Sequence, residues 1–194
     1  DVADGNGGTV STTATITITG VDDAPTLINV DNNIWLDGTD DGVPKIIDTD
    51  VTLGDIDSDT ITQITVQITG NLDDTEDVLA SAAISGFNAG TYNAATGLLT
   101  ITSSGASATV AQAEAVLEAI SYENTDPGSV TANTRTLTWT VTDGINSESA
   151  SANIDIVVSA GVAPTLTGVD NNTWVEDTDV GPKTIDSDVT LGDV

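Results

Sequence analysis

Apolar and polar residues alternate along several stretches of this chain, which is the period of a strand with one buried and one solvent-facing side. Leu99 and Ile101 mark a further strand, entered through a turn at residues 93–97. Threonine fills many of the polar positions, and its β-branched side chain favours extended backbone. The longer alternating stretches are residues 10–19, 64–69, 137–141 and 152–158.

One segment has a helical pattern instead. Thr109 and Gln112 have the spacing of a capping box, with Thr109 as the N-cap. Five apolar residues then share one helical face and predict a helix of about ten residues that ends before Asn124: Val110, Ala113, Val116, Leu117 and Ile120. We therefore predict an all-β chain, an antiparallel sandwich of immunoglobulin-like arrangement with one short helix per repeat.

The chain repeats itself. The stretch Ala24-Pro25-Thr26-Leu27 recurs 139 residues later as Ala163-Pro164-Thr165-Leu166, and Trp35 recurs as Trp174. Lys45 matches Lys183 at 138 residues, so one residue is lost between these anchors. Such periodicity indicates a tandem array of modules. The predicted organisation is the C-terminal strand of a preceding repeat at 1–23, a complete repeat at 24–162 and the N-terminal part of the next at 163–194.

The three tryptophans carry separate expectations. Trp139 lies on an alternating strand and is predicted to belong to the core. Trp35 and its counterpart Trp174 lie near the start of their repeats, and we predict that they pack at a junction between modules.

Charge and composition exclude several classes of function. The net charge is −28, with 3 basic residues against 31 acidic ones, which argues against binding nucleic acid or anionic membranes. Without His or Cys, the usual general base and the thiolate zinc ligands are absent. A carboxylate pair of glycosidase type stays open, but the acids recur in turn-like positions, so we predict no enzyme. No apolar run approaches the roughly 18 residues of a membrane span.

The acids form a pattern suited to a hard cation. Asp55, Asp57 and Asp59 alternate, so on an extended segment their side chains share one face at a spacing of roughly 6.6 Å. Calcium takes about 6–8 oxygen ligands, so other segments must contribute. The EF-hand pattern fails, because Thr60 and Val66 stand where Gly and Glu are required. The further candidate ligands for Ca²⁺ are Asp22, Asp23, Asp48, Asp50 and Asp143, and residues 73–77 form another acidic group.

Several stretches together resemble the cadherin-like and VCBS-type tandem repeats of large bacterial surface adhesins. The resemblance implies calcium-rigidified links between modules, with Asp22, Asp23, Asp55, Asp57 and Asp59 as ligands. The copies differ, however, because Gly161 and Val162 replace Asp22 and Asp23 at the second boundary. The stretches that carry the resemblance are residues 4–25, 53–59, 70–79, 92–97, 121–125 and 176–178.

The expected function is structural. The chain is predicted to be a module of a long extracellular, cell-surface repeat protein, acting as the stalk of an adhesin or as the building block of a filament. Its partners would be neighbouring repeats and, in a filament, identical chains. An alternative is a module that binds carbohydrate, ice or another cell through exposed aromatics. A Lys–Asn isopeptide bond through Lys45 or Lys183 also stays open. The aromatics available for the alternative are Trp35, Phe87, Tyr92, Tyr122 and Trp174.

Overall fold

A computed structural model describes residues 2–57, 60–105, 108–126, 130–158, 165–167 and 190–192. Strands predominate in these residues, in agreement with the all-β prediction, and one α-helix, α1 (Val110–Leu117), interrupts them. The strands are β1 (Val2–Ala3), β2 (Thr9–Val10), β3 (Thr26–Ile28), β4 (Asn33–Leu36), β5 (Lys45–Ile46), β6 (Thr52–Gly54), β7 (Gln63–Gly70), β8 (Asp77–Ala80), β9 (Thr91–Asn93), β10 (Leu98–Thr102), β11 (Ser121–Asn124), β12 (Thr134–Thr142), β13 (Ser147–Val157), β14 (Thr165–Thr167) and β15 (Thr190–Gly192).

Two sheets and a ribbon organise the first of two compact units, Asp1–Val157. The larger sheet has six strands in the order β4-β13-β12-β7-β10-β9, antiparallel throughout except that β4 runs parallel to β13. A three-stranded sheet has the order β5-β11-β8. The ribbon pairs β3 with β6, and β1 with β2 forms a separate short hairpin near the N-terminus.

The alternating stretches form strands whose apolar side chains are buried. Ile64, Val66 and Ile68 of β7 are buried, while the residues between them are partly exposed. The same alternation runs the whole length of β12, where Trp139 is buried as predicted. Leu99 of β10 is fully buried as well. Because these strands are adjacent in the six-stranded sheet, their buried side chains form one face of a continuous core.

Helix α1 begins at the predicted capping box. The Thr109 hydroxyl accepts a hydrogen bond from the Gln112 amide at 3.2 Å, and the Gln112 side chain accepts one from the Thr109 amide at 2.9 Å. The buried face carries Ala113, Val116 and Leu117, as the helical pattern predicted. Glu114 connects the helix to β6, because its carboxylate accepts a hydrogen bond from the Leu53 amide at 3.0 Å.

Two expectations were wrong. Residues 11–25 form no regular secondary structure, although 10–19 have a strand pattern, and Ile16 and Ile18 are 86% and 90% exposed. The equivalent later strand, β13, is held by β12 and β4 on its two sides, whereas no strand of the described residues pairs with residues 11–19. Trp35 is fully buried in the core of this unit, and not at a junction, because β4 directs it inward beside β13.

The second compact unit, Val158–Val194, repeats a detail of the first. In the ribbon of the first unit, Leu27 pairs with Leu53. In the second, β14 pairs with β15 and Leu166 stands opposite Leu191, in the same register. The repeated sequence therefore corresponds to a repeated pairing of two strands, β3 with β6 and β14 with β15. The module boundaries remain a prediction. Trp174 and Lys183 lie outside the described residues.

Candidate functional site

Asp143 anchors the turn between β12 and β13. One of its carboxylate oxygens accepts hydrogen bonds from the amides of Ile145 and Asn146, at 2.6 and 2.8 Å. Gly144 adopts a φ of 111°, a backbone conformation that glycine tolerates without a steric cost. Asp143 is only 9% exposed, and its second carboxylate oxygen, Oδ2, is buried without a hydrogen-bond partner. A buried carboxylate oxygen of this kind is costly unless a proton or a cation compensates it.

Asn146 connects this turn to the residues before the Ala24-Pro25 boundary. Its side-chain amide donates to the Asp22 carboxylate at 2.7 Å and to the Asp22 carbonyl at 3.0 Å. The prediction from sequence missed Asn146, because it was confined to carboxylate side chains. Its position three residues after a predicted ligand aspartate, in a turn, was the available signal.

The aspartates after β6 approach from the other side. The Asp23 amide donates to Asp57 Oδ2 at 3.0 Å, and the Asp57 amide lies 3.3 Å from Asp55 Oδ1. Asp57 is exposed and Asp55 is half-buried. These contacts link five of the predicted ligands from three segments of the chain, Asp23 through its main-chain amide and Asp22 with Asp143 through Asn146. We name this group the boundary cluster: Asp22, Asp23, Asp55, Asp57 and Asp143.

Within the boundary cluster, the pKa of Asp22 is raised above its ordinary value. Burial raises the pKa of Asp22, the Asn146 hydrogen bond partly offsets this, and the charges of Asp143, Asp57 and Asp55 raise the pKa further. Like charges at close range disfavour the ionised form of each other. A hard cation with oxygen ligands, if bound beside Asp22, would offset this repulsion.

Two of the three remaining predicted ligands, Asp48 and Asp50, lie in a second group with Asp31. Asp48 is buried and accepts hydrogen bonds from the amides of Asp31 at 2.7 Å and Asp50 at 3.2 Å. The contact with Asp48, followed by burial and by the charge of Asp31, raises the pKa of Asp50. Both oxygens of Asp48 already have main-chain partners, so this group is explained by the turn that it stabilises.

The described residues contain no group of three or more carboxylates already arranged to hold a metal ion. Asp59, the third member of the predicted triplet, lies outside the described residues. Calcium coordination by Asp22, Asp23, Asp48, Asp50, Asp55, Asp57, Asp59 and Asp143 therefore stays a prediction. Within that set, the buried and unpartnered oxygen of Asp143 fits a cation best.

The raised pKa of Asp22 leads to a testable pH dependence. A carboxyl group whose pKa is raised by folding destabilises the folded state while it is ionised, and this cost disappears as the pH falls through the raised pKa. In chelator, Asp22→Asn is expected to raise the melting temperature at pH 7 and to have a smaller effect near pH 4. Asp74→Asn, which removes an exposed carboxylate elsewhere, is the control. Equal effects of Asp22→Asn at both pH values, measured by thermal unfolding, would contradict the repulsion.

Asp77, in the acidic group at residues 73–77, is buried in the core and paired with Arg135. Asp77 is 1% exposed, and its Oδ2 accepts a hydrogen bond from Arg135 Nε at 2.7 Å. The Tyr122 hydroxyl donates to Asp77 Oδ1 at 2.6 Å, and the Tyr92 hydroxyl donates to the Asp77 carbonyl at 2.8 Å. Burial, followed by the charge of Asp77, raises the pKa of Tyr92 to about 12. Asp77 is therefore a core ion-pair partner and not a surface ligand.

The aromatic side chains offer little surface for a ligand. Trp35, Phe87 and Tyr122 are buried in the core, and Tyr92 is half-buried with its hydroxyl bonded to the main chain. An exposed aromatic cluster of the kind that binds sugars is therefore absent from the described residues.

Searches against models of known protein families and against characterised proteins found no match. Within the described part of the chain, no helix has both the length and the hydropathy required to cross a membrane.

Proposed function

We propose that this chain is a structural module of a calcium-stabilised, extracellular tandem-repeat protein, serving as a stalk or as the repeating unit of a surface filament. The observation that carries the proposal is the boundary cluster. It joins Asp22, before the Ala24-Pro25 boundary, to Asp55, Asp57 and Asp143 of the repeat that follows. A cation bound there would connect the incoming chain to the repeat and restrict movement at the boundary.

We further propose that the repeat is a sandwich of immunoglobulin and cadherin type. The support is that buried side chains of the six-stranded sheet, such as Val66 and Trp139, share one core with Leu79 and Tyr122 of the three-stranded sheet. Two sheets that bury their inward faces against each other form a sandwich. The parallel pairing of β4 with β13 ties the start of the repeat to its end, which suits a unit that transmits force along an array.

The resemblance to adhesin repeats supports an extracellular, cell-surface location, as does a chain with 31 acidic residues and no Cys. Partners would be neighbouring repeats of the same protein and, in a filament, identical chains. The ligand-binding alternative is less well supported, because Trp35, Phe87 and Tyr122 are buried.

Calcium is expected to raise the melting temperature of the chain by roughly 3–10 °C at about 10 mM, compared with chelator. Extracellular calcium modules bind at about 10⁻⁴–10⁻³ M, so each site contributes roughly 1.4–2.7 kcal/mol at that concentration. For a unit of this size, about 1 kcal/mol shifts the melting temperature by about 2–4 °C. Differential scanning calorimetry measures the shift, and small-angle scattering measures the accompanying loss of flexibility.

Matched variants make the calcium test specific. Asp143→Asn and Asp55→Asn are expected to reduce the calcium-induced shift, because each removes a charged oxygen from the boundary cluster. Asp74→Asn removes an equal charge from an exposed position and should leave the shift unchanged. Identical melting curves in calcium and in chelator would overturn the proposal.

A further inference from the structure

One edge of the six-stranded sheet is formed by β4, and the other by β9. The Asp37 amide donates to the Val157 carbonyl of β13 at 3.0 Å, so odd-numbered residues of this segment direct their main-chain groups toward β13. Ile34 and Leu36 therefore direct their N–H and C=O groups away from the sheet. Unpaired groups of this kind form a template to which another strand can add.

Within this edge, every outward main-chain group already has a partner from the same chain. The Ile34 amide donates to the Asn33 side chain at 2.7 Å, and the Ile34 carbonyl accepts from Lys45 Nζ at 2.6 Å. The Leu36 amide donates to Asp40 Oδ2 at 2.8 Å, and the Leu36 carbonyl accepts from the Asp40 amide at 2.8 Å. A strand arriving at β4 would find no free donor or acceptor on these two residues.

Asp40 and Lys45 act together at this edge. Lys45 Nζ lies 2.8 Å from Asp40 Oδ2, which also holds the Leu36 amide. Although burial acts to raise the pKa of Asp40, the hydrogen bonds from Lys45 and Leu36 lower it overall, so the carboxylate is ionised across the neutral range. Lys45 belongs to β5, at the edge of the three-stranded sheet, so the pair also connects the two sheets along one side.

The sequence contains the same residues in the next copy. The chain has only two lysines, Lys45 and Lys183, and they occupy equivalent positions after Pro44 and Pro182. Asp40 likewise has Asp179 as its counterpart. In a chain of 31 acids and 3 bases, the recurrence of a lysine at one repeat position indicates a specific role for the cation.

If its main-chain groups were unpaired, the β4 edge would favour association, because apolar side chains lie exposed along it. Ile34 and Leu36 are half-exposed on the outer face, and Val157 lies opposite Leu36 in the neighbouring strand with a similar exposure. Ile46 of β5 is also partly exposed. An apolar strand edge with free main-chain groups is the usual starting point for sheet-to-sheet association.

We propose that the Asp40–Lys45 pair, by occupying the Leu36 amide and the Ile34 carbonyl, completes the closure of the β4 edge against strand addition by a second copy of this chain. Neighbouring molecules therefore do not join laterally by extending the six-stranded sheet at β4, and association through this unit is limited to other surfaces. When the pair is removed, the occupant of the open edge is β4 of a second copy, paired antiparallel about a twofold axis.

The test uses the full chain in chelator, so that its result does not depend on calcium binding, and in about 1 M NaCl, where the screening length falls to about 3 Å. Lys45→Met, which frees the Ile34 carbonyl, and the double variant with Asp40→Ala, which also frees the Leu36 amide, are expected to associate as the protein concentration rises, in sedimentation velocity. Lys45→Arg, which keeps a cationic donor, should remain monomeric. Asp74→Asn should also remain monomeric, because it changes the charge away from the edge.

Hydrogen exchange on the unaltered protein tests the closure without any variant. The Leu36 amide is expected to exchange about tenfold or more slowly than an open amide, because its hydrogen bond is to a charged acceptor. The proposal would be overturned if the Leu36 amide exchanged without protection. It would also be overturned if the variants stayed folded and monomeric at every concentration, or if the unaltered protein itself paired through β4.

Discussion

Arg135→Met is expected to lower the free energy of unfolding of the repeat by about 3–5 kcal/mol, because it leaves the carboxylate of Asp77 buried without its cation. Arg135 and Asp77 are 2% and 1% exposed, and the Nε–Oδ2 distance is 2.7 Å. Although burial by itself lowers the pKa of Arg135, the hydrogen bond and charge of Asp77 raise it overall, so the guanidinium is charged within the core. Urea unfolding measures the loss.

Lys45→Met is the matched control for this substitution. It removes a cation from a second ion pair, in which Lys45 and Asp40 are partly exposed, and such pairs contribute about 0–1 kcal/mol. Because Lys45→Met is expected to associate in high salt, the control is measured in low salt and at low concentration. If Arg135→Met costs no more than Lys45→Met, the buried pair does not hold the core together.

Replacing both members of the buried pair separates the value of the pair from the penalty of an isolated charge. Arg135→Met combined with Asp77→Leu is expected to recover part of the lost stability, because no buried charge is then left unpaired. The recovery is expected to be incomplete, since the Tyr122 hydroxyl, which donates to Asp77 at 2.6 Å, loses its acceptor.

Trp35→Ala is expected to destabilise the repeat by about 3–5 kcal/mol through the cavity that it leaves. Trp35 is fully buried beside Ile156 of β13, in a core that also contains side chains of β7, β8, β10, β11 and β12. The measurement is urea unfolding followed by the fluorescence of the remaining tryptophans. Residues buried at a junction between modules would instead affect the coupling of modules and not the stability of the repeat itself.

Leu36→Ala, at the next position on the same strand, is the control for Trp35→Ala. Leu36 is partly exposed on the outer face of β4, so the expected loss is within about 1 kcal/mol. Losses of similar size for the two variants would contradict the inward orientation of Trp35. A large loss only for Trp35→Ala would confirm that the start of the repeat is built into its core.

These two expectations describe one feature of the repeat, which is that its ends and its centre are joined within a single core. Trp35 connects β4, at the start of the predicted repeat, to β13, near its predicted end. Arg135 of β12 connects the six-stranded sheet to Asp77 at the start of β8 in the three-stranded sheet. A module held in this way suits the proposed stalk, because force entering at one end reaches the other through buried contacts.

The strands and the helix could be predicted from sequence because their signals are local. Alternation placed Val66 and Trp139 in the core, and the Thr109–Gln112 spacing placed the start of α1, since each pattern reflects the geometry of its own element. The same reasoning was wrong for residues 11–19, because a strand also requires a partner and alternation does not supply one.

The roles of individual carboxylates could not be predicted from the local sequence pattern. The sequence by itself determined an all-β chain, its repeat and its excess of aspartate. Only the tertiary structure decided that Asp77 is a buried partner of Arg135, 58 residues away, while Asp22 reaches Asn146 at a separation of 124 residues. The physical reason is that the role of a charged side chain depends on its burial and its partners, and strand pairing over long distances in the chain sets both.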